Sequence, residues 1–240
     1  MPYLSRIWIN PLRSGAQKML QNPQVVHAAV LGGLSTQPLD GRTLWRWEPN
    51  GSHRASLLVL THERPSWEHI VEQAGWPGAD QPQALVRDYA PLLQRVARGR
   101  EFAFRLRANT VTSTRTPEQT TTRQRERLAG PRPRGIRVPE RTAAHQLAWF
   151  ERHLPAWGLE VMQTNGLPAV RLLDREQVAF HKTGRDGERR RVILQTATAE
   201  GGVRVSKPDY ALRALQSGCG PARAYGCGLL TLAPLLDEVR

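Results

Sequence analysis

Short apolar strands and short amphipathic helices alternate along this chain, and their order leaves few folds open. Tyr3 to Ile9 alternates with branched and aromatic residues and reads as a strand. Ser14 to Leu20 reads as helical. Asn22-Pro23 then offers an N-cap followed by proline at the first helical position, so a second helix is expected from Pro23 to Leu31, stopping at Gly32-Gly33. Leu44 to Trp47 and Ser56 to Leu60 read as a strand pair, and Pro82 to Arg98 as a helical segment. In Phe102 to Ala108, Phe102, Phe104 and Leu106 alternate with Arg105 and Arg107, the pattern of a half-buried strand with a basic outer face. Strand, helix, strand, strand, helix, strand is the ferredoxin-like order.

Residues 110–141 interrupt it. They are rich in Thr, Arg and Pro and nearly devoid of large apolar side chains, which predicts a flexible basic linker or loop. Beyond it, Thr142 caps a helix to about His153 that carries Leu147, Trp149 and Phe150. Val178 to Lys182 and Arg191 to Ala197 flank a glycine-containing tip and predict a hairpin. Val203 to Val205 reads as a further strand, Pro208 to Leu215 as a helix, and Leu229 to Leu232 as a closing strand. The expected fold class is therefore α+β, with two tandem ferredoxin-like (RRM-like) domains at 1–109 and 142–240 joined by the linker 110–141. No residue-level repeat relates the halves, so the duplication rests on element order.

Charge narrows the partner. The 240 residues carry a formal net charge of +13. Nearly all of the positive charge is arginine, the lysines being Lys18, Lys182 and Lys207. Such a balance favours a polyanion, and arginine offers a rigid donor fork to phosphates. No stretch approaches membrane-spanning length and the N-terminus lacks an apolar core behind its charge, so a cytoplasmic protein without a membrane partner is expected. Cys219 and Cys227 have no histidine at metal-ligand spacing and read as free thiols. No HExxH, paired CxxC or acidic cluster is present, so neither a metal site nor a cofactor is expected.

Three features could carry chemistry. Gly218 to Leu230, GCGPARAYGCGLL, places four glycines around Arg223 and Tyr225 just before the last strand. Amides in such a loop can form an anion-binding concavity, and glycine admits close approach of a ligand to backbone. No Lys-Ser/Thr pair follows, and a strand rather than a helix comes next, so neither nucleotide-binding glycine motif applies. The hairpin His181 to Arg191 brings Lys182, Arg185, Arg189, Arg190 and Arg191 to its tip, where they could reach a nucleic-acid groove. Among seven histidines, His27 lies in the first turn or so of a helix, where anions are attracted and an imidazole is suited to proton transfer. His53, His62, His69, His145, His153 and His181 have no better individual claim.

LSRIWINP near the start, NPQVVH at the second helix, FAFRLRANTV in the middle, AAHQLAWF on the helix after the linker and GPARAYGCGLLTLAP at the end resemble, in order and over nearly the whole chain, the CasE-type CRISPR endoribonucleases. These are the repeat-cleaving subunits of the subtype I-E Cascade complex. The resemblance implies tandem ferredoxin-like domains, a CRISPR repeat RNA stem-loop as substrate and other Cascade subunits as partners. It implies metal-independent cleavage of precursor RNA at the 3′ base of the stem by attack of a 2′-hydroxyl. The products would be a 2′,3′-cyclic phosphate and a 5′-hydroxyl, with the enzyme remaining on the mature guide. His27 falls on the family's catalytic histidine. Gly218, Gly220, Arg223, Tyr225, Gly226 and Gly228 fall in its glycine-rich loop, and Lys182 to Arg191 on its groove-binding hairpin. Gln24 stands where a tyrosine often precedes that histidine, and Ala28 and Gly32 stand where some members are basic. A catalytically inactive RNA-binding subunit is the alternative reading.

Overall fold

The structure, a computed structural model, describes all residues except 37–40, 50–53, 117–121, 130–134, 185–186 and 236–240. In the first half, β1 (Tyr3–Ile9), α1 (Ser14–Gln21), α2 (Pro23–Leu31), β2 (Leu44–Pro49), β3 (Ala55–Thr61), α3 (Glu68–Ala74) and β4 (Ala84–Asp88) follow in turn. The strands form an antiparallel sheet in the order β2-β3-β1-β4. This is the ferredoxin-like order, with the first crossover carrying a pair of helices. Ile7, Ile9, Trp45, Leu57 and Val59 of the sheet form one core with Met19, Val26, Val30 and Ile70 of the helices.

The second half is built from α4 (Ala90–Leu93), β5 (Glu101–Asn109), β6 (Val111–Thr114), α5 (Thr122–Ala129), β7 (Ile136–Pro139), α6 (Ala143–His153), β8 (Leu159–Val161), β9 (Gln163–Thr164), β10 (Leu167–Pro168), β11 (Val170–Thr183), β12 (Arg189–Val205), α7 (Pro208–Ser217) and β13 (Leu230–Ala233). Its main sheet runs β11-β12-β5-β13, with β8 also pairing to β12. With α6 before β11 and α7 before β13, the same fold order is repeated. Phe102, Phe104 and Leu106 pack with Trp149, Phe150, Ala211 and Leu215 in a second core. Thr142 caps α6 by accepting from the His145 amide at 3.2 Å.

Three expectations change. Pro82–Arg98 is not a helix: Ala84–Asp88 adds to β1 as an edge strand, and only Ala90–Leu93 is helical. The helix of that slot is α3, which lacks a side-chain cap hydrogen bond at its start. Phe102 to Ala108 belongs to the second sheet, where β5 lies between β12 and β13. The strand expected to complete the first unit thus begins the second. Finally, the ends of 110–141 are ordered, since β6 pairs with β7 from Val111↔Pro139 to Thr114↔Ile136. The Trp149 indole donates to the Val111 carbonyl at 3.0 Å and anchors that ladder on α6. The segment is an insertion between the first strand and first helix of the second unit.

A buried ion network joins the two units. Arg46, only 1% exposed, donates to the carbonyls of Arg105 at 2.8 Å and Leu229 at 2.7 Å, and to Thr231 Oγ1 at 2.9 Å. It also pairs with Glu48, which bridges to Arg105; Arg105 in turn bridges Glu200 at 2.7 Å. A guanidinium stripped of water is retained only where carbonyls and carboxylates occupy its donors, so this contact ties β2 to β5 and β13. Among the described residues, no helix is long and apolar enough to cross a membrane.

Candidate functional site

The local sequence sets α2 first. Asn22 Oδ1 accepts from the Gln24 amide at 2.9 Å and Pro23 occupies the first turn, so the helix starts where expected. His27 follows one turn later and is half-buried. Its Nδ1 is covered and has no hydrogen-bond partner among the described residues. Burial holds the imidazole pKa below its ordinary value, and the charge of Lys182 lowers it further. The neutral ring is therefore favoured, with one nitrogen uncommitted to the protein.

Lys182 lies near the tip of one long hairpin formed by β11 and β12, far longer than the two short strands expected. Val203 to Val205 is the end of β12 rather than a separate strand. Paired residues of an antiparallel ladder share a face. Lys182↔Arg190, Phe180↔Val192 and Val178↔Leu194 therefore lie on one face, and His181↔Arg191 and Ala179↔Ile193 on the other, with Arg189 two residues before Arg191. Phe180 and Leu194 are buried while Ile193 is 53% exposed. The basic cluster is thus split: Lys182 and Arg190 lie on the His27 side, Arg189 and Arg191 on the outer side. Arg190 also forms an exposed bridge to Glu188 at 3.0 Å. Arg185 lies outside the described residues, as does His53.

The glycine loop joins the same place. Its 3-10 turn, Arg223–Tyr225, packs against α2, and Tyr225 meets Phe180 edge-on with ring centroids 4.8 Å apart. Arg223 Nε donates to the Gly220 carbonyl at 2.9 Å. Burial, then the nearby Arg42, lowers the Arg223 pKa, so two guanidiniums approach each other at this edge of the loop. Sequence reasoning gave Arg42 no role.

Three of the four glycines pack against the protein itself. Gly218, Gly226 and Gly228 are buried; Gly220 is only partly so. A Cβ on Gly226 would come within 2.6 Å of the Trp45 ring, and one on Gly218 within 2.7 Å of Leu44. The Gly228 amide donates to the Arg107 carbonyl at 2.7 Å, and the Gly228 carbonyl accepts from the Cys219 amide at 2.9 Å. These three positions let the loop close on the core, and the Gly228 amide is already spent. Cys219 and Cys227 are buried free thiols, with burial pushing Cys227 up to about 12. Neither is suited to thiolate chemistry.

His27, Lys182, Arg190, Arg223 and Tyr225 therefore come from three distant parts of the chain to one side of α2. A half-buried imidazole beside several cations can hold a phosphodiester and move a proton at it. The family model for CRISPR associated protein matches residues 2–234. CRISPR-associated endoribonuclease Cse3 of Thermus thermophilus is 30% identical over 237 residues, spanning 97% of this chain and 100% of that protein. CRISPR system Cascade subunit CasE of Escherichia coli is 27% identical over 196 residues, spanning 80% of this chain and 89% of that protein. The solved structure of Thermus thermophilus Cse3 bound to an RNA representing a pre-cleavage complex superposes with a TM-score of 0.69 at 28% identity, covering 97% of this chain and 99% of that one.

Proposed function

The chain belongs to the CRISPR-associated protein family, and we propose that it is a CRISPR RNA-processing endoribonuclease whose proton-transfer group is His27. Its substrate is the precursor CRISPR RNA, cut at the 3′ base of the repeat stem-loop, and its other partners are Cascade subunits. It works in the cytoplasm. The observation that supports the assignment of roles is the convergence on α2 of the Arg223–Tyr225 turn and, through the Phe180–Tyr225 contact, the hairpin face that carries Lys182.

The nucleophile is the RNA's own 2′-hydroxyl, so the protein's task is alignment and charge. Attack on phosphorus displaces the 5′-oxygen of the next nucleotide, forming the 2′,3′-cyclic phosphate. The leaving oxygen takes up a proton and becomes the 5′-hydroxyl. His27 either accepts the proton from the 2′-hydroxyl or donates to the leaving oxygen. Lys182 and Arg223 supply positive charge to the phosphorane-like transition state, and Arg190 holds the stem backbone. In-line alignment of the 2′-oxygen, phosphorus and 5′-oxygen supplies much of the rate. Retention on the product follows from a phosphate-dominated interface that cleavage leaves intact.

Incubation of the purified protein with its cognate repeat RNA tests this reading. Cleavage at the 3′ base of the stem, blocked by a single 2′-deoxy substitution just upstream of the scissile phosphate and unaffected by EDTA, is expected. Cleavage of the deoxy substrate, or loss of activity in EDTA, overturns the chemistry. Tight binding without any cleavage would make the chain an inactive RNA-binding subunit, the reading to which Gln24 in the tyrosine position points.

A further inference from the structure

Between the two units lies a cavity of about 440 Å³ to which the cleavage chemistry assigns no part. Trp45 and Trp47 of β2 line it from the first unit; Arg107, Glu176 and Tyr225 line it from the second. The volume falls within the range of small-ligand pockets. The Trp45 and Trp47 rings meet edge-on with centroids 6.5 Å apart, so the wall from the first unit is aromatic.

Three observations define the guest. First, Glu48, Asp174 and Glu176 stand against Arg105 and Arg107 around the cavity, so a free phosphate meets as many anions as cations and more. Second, Arg107 Nη2 is committed to Glu176 at 2.7 Å and Thr196 at 3.2 Å, while Arg107 Nε and Trp45 Nε1 are buried donors without a hydrogen-bond partner among the described residues. Unpaired buried donors are costly, and a ligand edge bearing acceptors would relieve that cost. Third, Pro23 lines the cavity, and His27 lies four residues on along α2. Residues i and i+4 share a helix face about 6 Å apart. Tyr225 lines the cavity as well and touches Phe180, two residues before Lys182 on the same strand face. One wall of the cavity therefore lies a single helical turn from His27, and another lies against the strand that carries Lys182.

We propose that this cavity takes one unpaired nucleobase of the RNA, from the single-stranded flank next to the scissile phosphate. The ring stacks on Trp47 or Tyr225, its acceptors meet Arg107 and Trp45 after small side-chain adjustments, and its phosphate stays outside with Lys182. Extracting that base from the stack fixes the backbone around the cleaved bond. The proposal rests on the reading of His27 as the cleavage centre.

The test uses repeat RNAs in which each unpaired nucleotide flanking the stem is made abasic in turn, together with 2-aminopurine at the same positions. One position should lose about ten-fold in affinity when its base is removed, the size expected for one stacked base. 2-Aminopurine there should change fluorescence on binding. In Ala55→Phe or Thr198→Leu, which fill the cavity from either unit, that penalty should disappear while stem binding remains; folding of each variant is checked by circular dichroism. An RNA that is cut normally but shows no base-dependent position overturns this proposal alone, as does a penalty that persists in a folded, filled variant. Failure of the unaltered protein to bind or cut the repeat overturns the cleavage reading and this proposal with it.

Discussion

The ammonium of Lys182 on β11 acts on the His27 imidazole on α2, adding to burial in holding that ring neutral. Two groups that would both be cationic are placed together, an arrangement that disfavours the empty site's charged form and favours an anion between them. A phosphate bound there offsets the repulsion and raises the histidine's proton affinity. The substrate's own charge thus tunes the group that must move its proton.

This coupling has a measurable sign. Lys182→Met removes the smaller of the two causes, so the His27 titration midpoint should rise yet stay below 6.5, because burial remains. Proton NMR of the imidazole follows it; an unmoved midpoint would mean that Lys182 does not act on His27. Because the folded-state pKa is lowered, the unfolded chain binds a proton that the folded chain does not. His27 therefore contributes stability that is fully present above pH 6.5 and lost as pH falls from there toward the lowered folded value. His27→Gln should flatten that limb of the stability profile, read by denaturant unfolding.

His27→Ala should slow single-turnover cleavage by about 10²–10⁴-fold, the usual contribution of one positioned acid or base. Its dissociation constant for the repeat should stay close to that of the unaltered protein, since one half-buried imidazole adds little to an interface dominated by phosphates. A variant that cuts at the original rate would remove His27 from the proton-transfer role.

The two faces of the hairpin allow a paired comparison. If the stem lies on the His27 side, Lys182→Glu with Arg190→Glu should flatten the dependence of log K on log salt by about 0.7–0.9 for each phosphate that is no longer neutralised. Arg189→Glu with Arg191→Glu should change it much less, because those side chains leave from the opposite face. Equal effects from both pairs would show that RNA surrounds the hairpin and reads both of its faces.

What could be read in advance was local chemistry. Asn22-Pro23 and Thr142 mark helix starts through their own side chains and ring geometry, and the structure starts α2 and α6 there. The alternation of Phe102 to Ala108 points to a strand with a basic face, and Arg105 and Arg107 do share one. Its sheet was not legible, because pairing with β12 and β13 depends on residues far away in the chain, as in Glu101↔Arg204 and Leu106↔Leu230, and on the Arg46 hydrogen bonds across the units. α3 escaped notice because it starts without a capping side chain. Composition also could not tell what faces a glycine's missing side chain: RNA and a buried tryptophan ask for the same residue.

That last ambiguity yields a comparison within the glycine loop. Gly220 and Gly226 both have positive φ, at +66 and +79, so alanine at either meets the left-handed penalty of about 1–2 kcal/mol. Their surroundings differ. At Gly220 the nearest atom to a new Cβ is on Trp149 at 3.6 Å, an ordinary van der Waals distance, whereas at Gly226 the Trp45 ring is 2.6 Å away. Overpacking a filled core adds about 1–3 kcal/mol. Gly226→Ala should therefore be less stable than Gly220→Ala by roughly that increment. Because Trp45 also walls the cavity between the units, any loss of RNA affinity in Gly226→Ala should accompany its loss of stability. Gly220, partly open and holding Arg223 through its carbonyl, is where affinity should fall with less cost to folding. Denaturant unfolding and repeat binding, measured on the same preparations, decide it. If Gly226→Ala is as stable as Gly220→Ala but binds RNA far more weakly, then Gly226 serves the RNA directly and not the seat of Trp45.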